Sequence, residues 1–263
     1  MPEEPILVER RGGISWVTLN RPDKRNAINA EMREQLLAAI AEAAQDQTIR
    51  CLVLTGAGKG FCTGADLSGS KGGGKPQAGS IRDVIREGTQ RVFKALWELE
   101  VPTIAAVNGV TAGFGCQLAF ACDLVIASEE SRFIEVFTSR GIIPDGGSAY
   151  LLPRLIGLAR AKEMVFFADP WSAADAERIG LVNRVVPPSD LEKVTMEWAE
   201  RLATGPTKAL GLAKRLLNRS LESTLDASLE EEALTQELIT NTNDIREGIT
   251  AFAEKRDPKF TGT

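Results

Sequence analysis

The chain contains no histidine, and its 263 residues include a single tyrosine, Tyr150. The missing imidazole removes Ser–His–Asp and Cys–His catalysis, together with the commonest metal ligand. Acid–base chemistry must then come from Asp, Glu, Lys, Cys or that one Tyr. Cysteine is scarce as well. Cys51, Cys62, Cys116 and Cys122 sit among apolar or small residues and form no CxxC pair, a pattern expected of free thiols in a reducing cytoplasm. No apolar run reaches the length of a membrane span, and the start, MPEEPILVERR, lacks the apolar core of a signal peptide. A net charge of −5 with a pI near 5.1 leaves no basic footprint for nucleic acid.

What is present is an ordinary globular composition, 43% hydrophobic and 25% charged. The length suits a large α/β core with an appendage. Ile14–Leu19, Cys51–Thr55, Thr103–Val107 and Leu124–Ala127 are short, branched and bounded by turn residues, which predicts buried strands. Between the first two, Asn29 is placed to cap a helix whose apolar face carries Met32, Leu36, Ile40 and Ala44. Ile81–Glu100 reads as a second amphipathic helix, with Val84, Ile85, Val92, Phe93 and Leu96 on its apolar side. The Gly/Ser/Lys-rich stretch Ser68–Ser80 reads as a surface insertion or as a lid beside a site. After about Pro187 only helical patterns remain: Ser189–Thr204, Pro206–Arg219, Asp226–Asn241 and Asp244–Lys255. Pro206 is expected at a first helical position. The boundaries that follow are a core over 1–187 and a C-terminal helical, oligomerising region over 188–263.

Two glycine-rich segments follow predicted strands. TGAGKGFCTGADLS (Thr55–Ser68) contains GAGKG but not the ending or spacing of a phosphate loop. GVTAGFGCQLAFACD (Gly109–Asp123) opens a helix, where unpaired N–H groups face outward. Two such turns after parallel strands bring backbone amides together at the strands' C-terminal edge, where α/β folds place ligands. Converging amides suit an ester or thioester oxygen on which negative charge develops.

These residues carry a resemblance. GFCTGADL with VNGVTAGFGCQLAFACDLVIAS, RPDKRNAIN, GIIPDGGSAYLLPRLIG, WSAADAERIGLVNRVVP and the late AFAEKRDPKF resemble the crotonase (enoyl-CoA hydratase/isomerase) superfamily. The resemblance implies an α/β fold, a spiral of ββα turns with a C-terminal all-helical region, assembled as trimers or pairs of trimers. It implies an acyl-CoA thioester as substrate, coenzyme A being part of that substrate, with no separate cofactor and no metal. The oxyanion hole would be the N–H groups of Ala65 and Phe114, although the family usually has a small residue at the second position. Coenzyme A would pass Ala65, Asp66, Leu67 and Ser68. Lys24 and Arg25 would lie near its phosphates, their other reading being a solvated turn. Phe252 and Lys255 would reach a neighbour's site.

Two departures bear on the reaction. The resemblance places hydratase glutamates where this chain has Gln117 and Phe137. Glutamine cannot titrate and phenylalanine cannot hold a water. Asp145, in IIPDGGSAYLLPR, offers a carboxylate instead. It matches the catalytic aspartate of the phenylacetyl-CoA epoxide and enoyl-CoA isomerase branch, and its plainer reading is a helix cap. One base suffices to move a double bond by shuttling a proton. Glu135 would share a strand face with Phe137, where it reads as a second acid or, more plainly, as a paired or solvent-facing glutamate, and Gln117 could donate a hydrogen bond in the pocket. Asp66 and Asp123 read as structural. The alternatives are a hydratase using Glu135 and Asp145, an aryl-CoA dehalogenase, and a non-catalytic acyl-CoA binder.

Overall fold

The computed structural model describes residues 4–66, 68 and 80–263. β1 (Ile6–Arg11) and β2 (Ile14–Leu19) form an antiparallel hairpin followed by α1 (Ala30–Gln45). The chain then repeats a strand–strand–helix unit. β3 (Cys51–Gly56) and β4 (Gly60–Cys62) precede α2 (Ser80–Ile85) and α3 (Arg91–Trp97); β5 (Thr103–Val107) and β6 (Val110–Ala112) precede α4 (Phe114–Ala121). β7 (Leu124–Ser128) and β8 (Arg132–Ile134) precede α5 (Ser148–Phe167), and β9 (Trp171–Ser172), α6 (Ala173–Arg178) and β10 (Arg184–Val186) end the series. One sheet has the order β1-β2-β3-β5-β7-β10, parallel from β2 onward, and the other the order β4-β6-β8-β9. The expected spiral of ββα turns is therefore the architecture formed. GAGKG is the turn from β3 to β4, passing from one sheet to the other.

Alternating residues of the central strands enter two cores. Leu52, Leu54, Ala105, Val107 and Val125 pack with α1, α3 and α4, while Val53, Ile104, Ala106 and Ile126 face the other way. Burial on both faces is what near-continuous apolar strands require. The second face is covered by α7 (Leu191–Ala203), through Leu191, Ala199 and Ala203. That helix follows Pro187, yet it covers strands, so the boundary expected at 187–188 cuts through a core. α8 (Thr207–Arg219), α9 (Leu225–Thr240) and α10 (Asn243–Glu254) complete the chain.

Local chemistry accounts for the ends of these elements. The Asn29 side chain accepts from the Met32 N–H and caps α1, a contribution of about 1 kcal/mol. The buried face of α1 runs through Met32, Leu36, Ala39, Ile40 and Ala43, while Ala44 is exposed. Steps of four drift around a 3.6-residue helix, so the stripe returns by a step of three. The single helix expected over Ile81–Glu100 is broken. Gly88 has φ −97° and ψ −106° inside a wide turn over Arg86–Gln90, which puts α2 out of phase with α3. Val92 and Leu96 are buried, whereas Val84 is exposed. Pro206 caps α8 instead of occupying its first turn, and α9 and α10 are capped by Thr224 and Thr242.

Candidate active site

The site is built where β4 and β6 end. Gly115, the second residue of α4, lies against the backbone that follows β4: a β-carbon there would stand 2.1 Å from the Cys62 carbonyl oxygen. Only glycine permits this approach, and it brings the start of α4 to the Thr63–Asp66 loop. A β-carbon built on Gly64 would lie 3.3 Å from the Phe114 nitrogen. In the same loop, Ile28 N–H donates to the Gly64 carbonyl and Asp66 N–H to the Ile28 carbonyl, both at 2.8 Å. That pairing leaves the Ala65 N–H without an acceptor among the described residues. Phe114 opens α4 after Gly113, which has no side-chain cap, and its N–H is likewise unpaired there. Free amides at a helix start carry partial positive charge.

Ala65, Phe114 and Asp145 line one cavity of about 620 Å³, with Asp66, Ser68, Ile28, Val84, Ile85 and Thr89 among its other walls. The glycine break at 88 thus turns α2 toward this space. Asp145 stands in the turn before α5. Its carbonyl accepts from the Ser148 N–H at 3.2 Å, but its carboxylate makes no hydrogen bond or ion pair among the described residues. The side chain is therefore not the cap of α5. Partial burial raises its pKa.

Three successive contacts hold that turn. A β-carbon at Gly146 would stand 2.7 Å from the Phe114 ring, and one at Gly147 2.5 Å from the Phe93 ring. Both glycines have left-handed φ, +59° and +95°. The next residue, Ser148, donates its hydroxyl to Glu135 Oε2 at 3.0 Å. Phe114 thus both borders the cavity and supports Gly146 with its buried ring, a packing role for a large side chain where a small one is expected.

The remaining candidates fall elsewhere. Glu135 is fully buried and lies beyond β8, which ends at Ile134, so the strand-face relation to Phe137 does not hold. Gln117 Nε2 donates to Glu135 Oε1 at 2.7 Å, while its Oε1 is buried without a partner among the described residues. Burial raises the Glu135 pKa to about 7, against the lowering effects of Ser148 and Gln117, with the Asp145 charge adding to the rise. Phe137 is buried near Gly113. None of Gln117, Glu135 and Phe137 lines the cavity.

Lys24 and Arg25 are exposed on a turn outside the lining. The cavity wall instead takes Arg21 and Arg33; Arg21 opens the same RPDKRNAIN motif that holds Lys24 and Arg25, and Arg33 lies in the first turn of α1, where nothing local sets it apart. Arg21 pairs with Asp66 at 2.8 Å. Asp66 also accepts from Ser68, whose hydroxyl and N–H lead in holding its pKa down to about 2. Leu67 lies outside the described residues, as does the Ser68–Ser80 stretch between its ends. Asp123 is structural: it accepts from the Thr103 N–H at 2.7 Å and pairs with buried Lys214 at 3.0 Å. The four cysteines are free and buried, and burial pushes the Cys62 and Cys122 thiols up to about 12, which keeps them from acting as nucleophiles. No helix among the described residues is long and apolar enough to cross a membrane.

Comparison with known proteins sets this geometry in context. Residues 9–263 match the family described as Enoyl-CoA hydratase/isomerase. A "Probable enoyl-CoA hydratase" of Rhodobacter capsulatus is 40% identical over 262 residues, covering 100% of both chains. The 1,2-epoxyphenylacetyl-CoA isomerase of Escherichia coli K12 is also 40% identical, over 98% of this chain and 99% of that one. A crystal structure of enoyl-CoA hydratase from Bacillus anthracis superposes with a TM-score of 0.92 at 34% identity, covering 98% of this chain and all of the other. With sequence likeness running nearly end to end and the same fold beneath it, the chain belongs to the enoyl-CoA hydratase/isomerase family.

Proposed function

We propose that this protein is an acyl-CoA isomerase that moves a carbon–carbon double bond through a thioester enolate. The observation that carries the reading is the Asp145 carboxylate, unpaired among the described residues, in the same cavity as the Ala65 and Phe114 amides, which likewise have no acceptor there. The thioester oxygen accepts from those two amides. Asp145 removes the proton from C2 of a 3-enoyl-CoA, and the electron pair passes onto that oxygen. The same carboxyl returns the proton to C4, leaving the double bond between C2 and C3. No water and no second carboxylate take part. Each amide contributes about 3–4 kcal/mol to holding the enolate, and partial burial raises the pKa of the base.

Hydration needs groups that hold and activate water, and Gln117, Glu135 and Phe137 bring none into the cavity. The hydratase name of an equally similar relative is the competing reading, and the isomerase name of the other agrees with ours. Coenzyme A runs past Ala65, Asp66 and Ser68. A homotrimer or dimer of trimers in the cytoplasm completes the proposal. Leu225, Leu229, Leu234 and Leu238 of α9 and Phe252 of α10 are exposed, apolar surface that a second copy would cover.

Proton NMR in D₂O with a 3-enoyl-CoA tests the reading. Wild type is expected to shift the double bond and exchange protons with solvent, and Asp145→Asn to bind CoA without doing either. Hydration of crotonyl-CoA at an ordinary enzymatic rate overturns it, and a wild type without any proton exchange would mark a non-catalytic binder.

A further inference from the structure

The buried trio Gln117–Glu135–Ser148 joins the two elements that carry the reacting groups. Gln117 lies one turn into α4, whose first residue supplies the Phe114 amide. Ser148 opens α5, and its N–H bonds the Asp145 carbonyl. Glu135 stands between them, accepting from Gln117 at 2.7 Å and from Ser148 at 3.0 Å. All three are essentially inaccessible, with relative exposures of 1%, 0% and 1%. A buried carboxyl is costly unless its partners are worth keeping, and this one touches no cavity wall.

We propose that Glu135 is a positioning residue, whose two hydrogen bonds form a strut fixing the Phe114 amide relative to the Asp145 carboxylate. The strut works only through other residues: one leg acts on α4, the other on the turn whose glycines rest on the Phe114 and Phe93 rings. Without it, α4 and the Asp145 turn keep their apolar contacts but lose the directional tie between them. A displacement of about 1 Å between base and oxyanion donors is enough to cost roughly 100-fold in rate. The role rests on the isomerase reading above for its kinetic consequence, though not for its geometry.

Glu135→Ala, Ser148→Ala and Glu135→Gln separate the strut from the charge. Glutamine can accept from Gln117 through its carbonyl oxygen and donate to the Ser148 hydroxyl, so it rebuilds both legs without an ionisable group. The expected result is a 10- to 100-fold fall in kcat for Glu135→Ala and Ser148→Ala, at nearly unchanged KM, with Glu135→Gln within about threefold of wild type. Nitrogen–proton NMR of the Phe114 and Gly146 amides gives a second readout independent of turnover. Both amides shift in the two alanine variants and hold their positions in Glu135→Gln. Unchanged kcat in Glu135→Ala, a Glu135→Gln as slow as Glu135→Ala, or a parallel rise in KM overturns the proposal. A wild type that does not isomerise counts against the proposed function instead, and the amide shifts then decide the strut alone.

Discussion

The Phe114 ring rests against Gly146, close enough that a β-carbon at 146 would come within 2.7 Å of its Cδ2. One side chain thus carries a proposed oxyanion amide at its root and supports the turn of the proposed base with its ring. Gly146→Ala brings a steric conflict and a left-handed φ of +59° to that contact. The expected outcome is a loss of about 1–3 kcal/mol in stability and a disproportionate fall in kcat. Urea unfolding beside steady-state kinetics measures both. A variant with wild-type kcat would show that the seating of Phe114 is irrelevant to the chemistry.

Asp145 is a base only when deprotonated, and burial raises its pKa. The kcat/KM of wild type should therefore decline as pH falls, with an acidic limb above the ordinary aspartate value of about 3.9. Asp145→Asn should lose about 10²- to 10⁴-fold in kcat and abolish that limb. A pH–rate series on the two proteins checks this, and a limb that persists in the asparagine variant would assign it to another group.

Glu135 gives a stability prediction with a definite sign. Its pKa rises from an ordinary value of about 4.3 to about 7 in the folded protein. The native state therefore holds the proton more tightly than the unfolded chain. Its contribution is full below about 4.3 and is lost as pH climbs through about 7, a change on the order of 3 kcal/mol. Relative to wild type, Glu135→Gln should gain stability between those values and level off above them. Thermal unfolding of both proteins from pH 4.5 to 8 measures the difference, and parallel curves would refute the assignment.

The clamp around Asp123 is structural, and its loss should show in stability alone. Asp123→Ala strands the buried Lys214 ammonium and the Thr103 N–H, at a cost of about 3–5 kcal/mol. Turnover per folded molecule should remain at the wild-type value. Denaturant unfolding together with kcat at low temperature tests the two halves separately.

The sequence by itself determined the elements whose signals are local. Short, branched runs bounded by turn residues marked β2, β3, β5 and β7, Asn29 marked the start of α1, and Asp145 stood out as a carboxylate beside a glycine turn. Family motifs supplied the ββα spiral and pointed to the amides at 65 and 114 as the proposed oxyanion donors, because those motifs mark where backbones meet. Only the tertiary structure decided which side chains share the cavity. For Glu135 the sequence left a paired or solvent-facing carboxylate and a second acid open, and for Gln117 a hydrogen bond in the pocket; the fold pairs the two in the interior at 2.7 Å. Gly88 breaks a helix that periodicity alone would continue, and Arg21 and Arg33 reach a wall that Lys24 and Arg25 do not. The physical reason is one of range. Backbone preference and hydrophobic period are set by neighbours along the chain, whereas the direction of a side chain past an element's end is set by distant groups that pack against it.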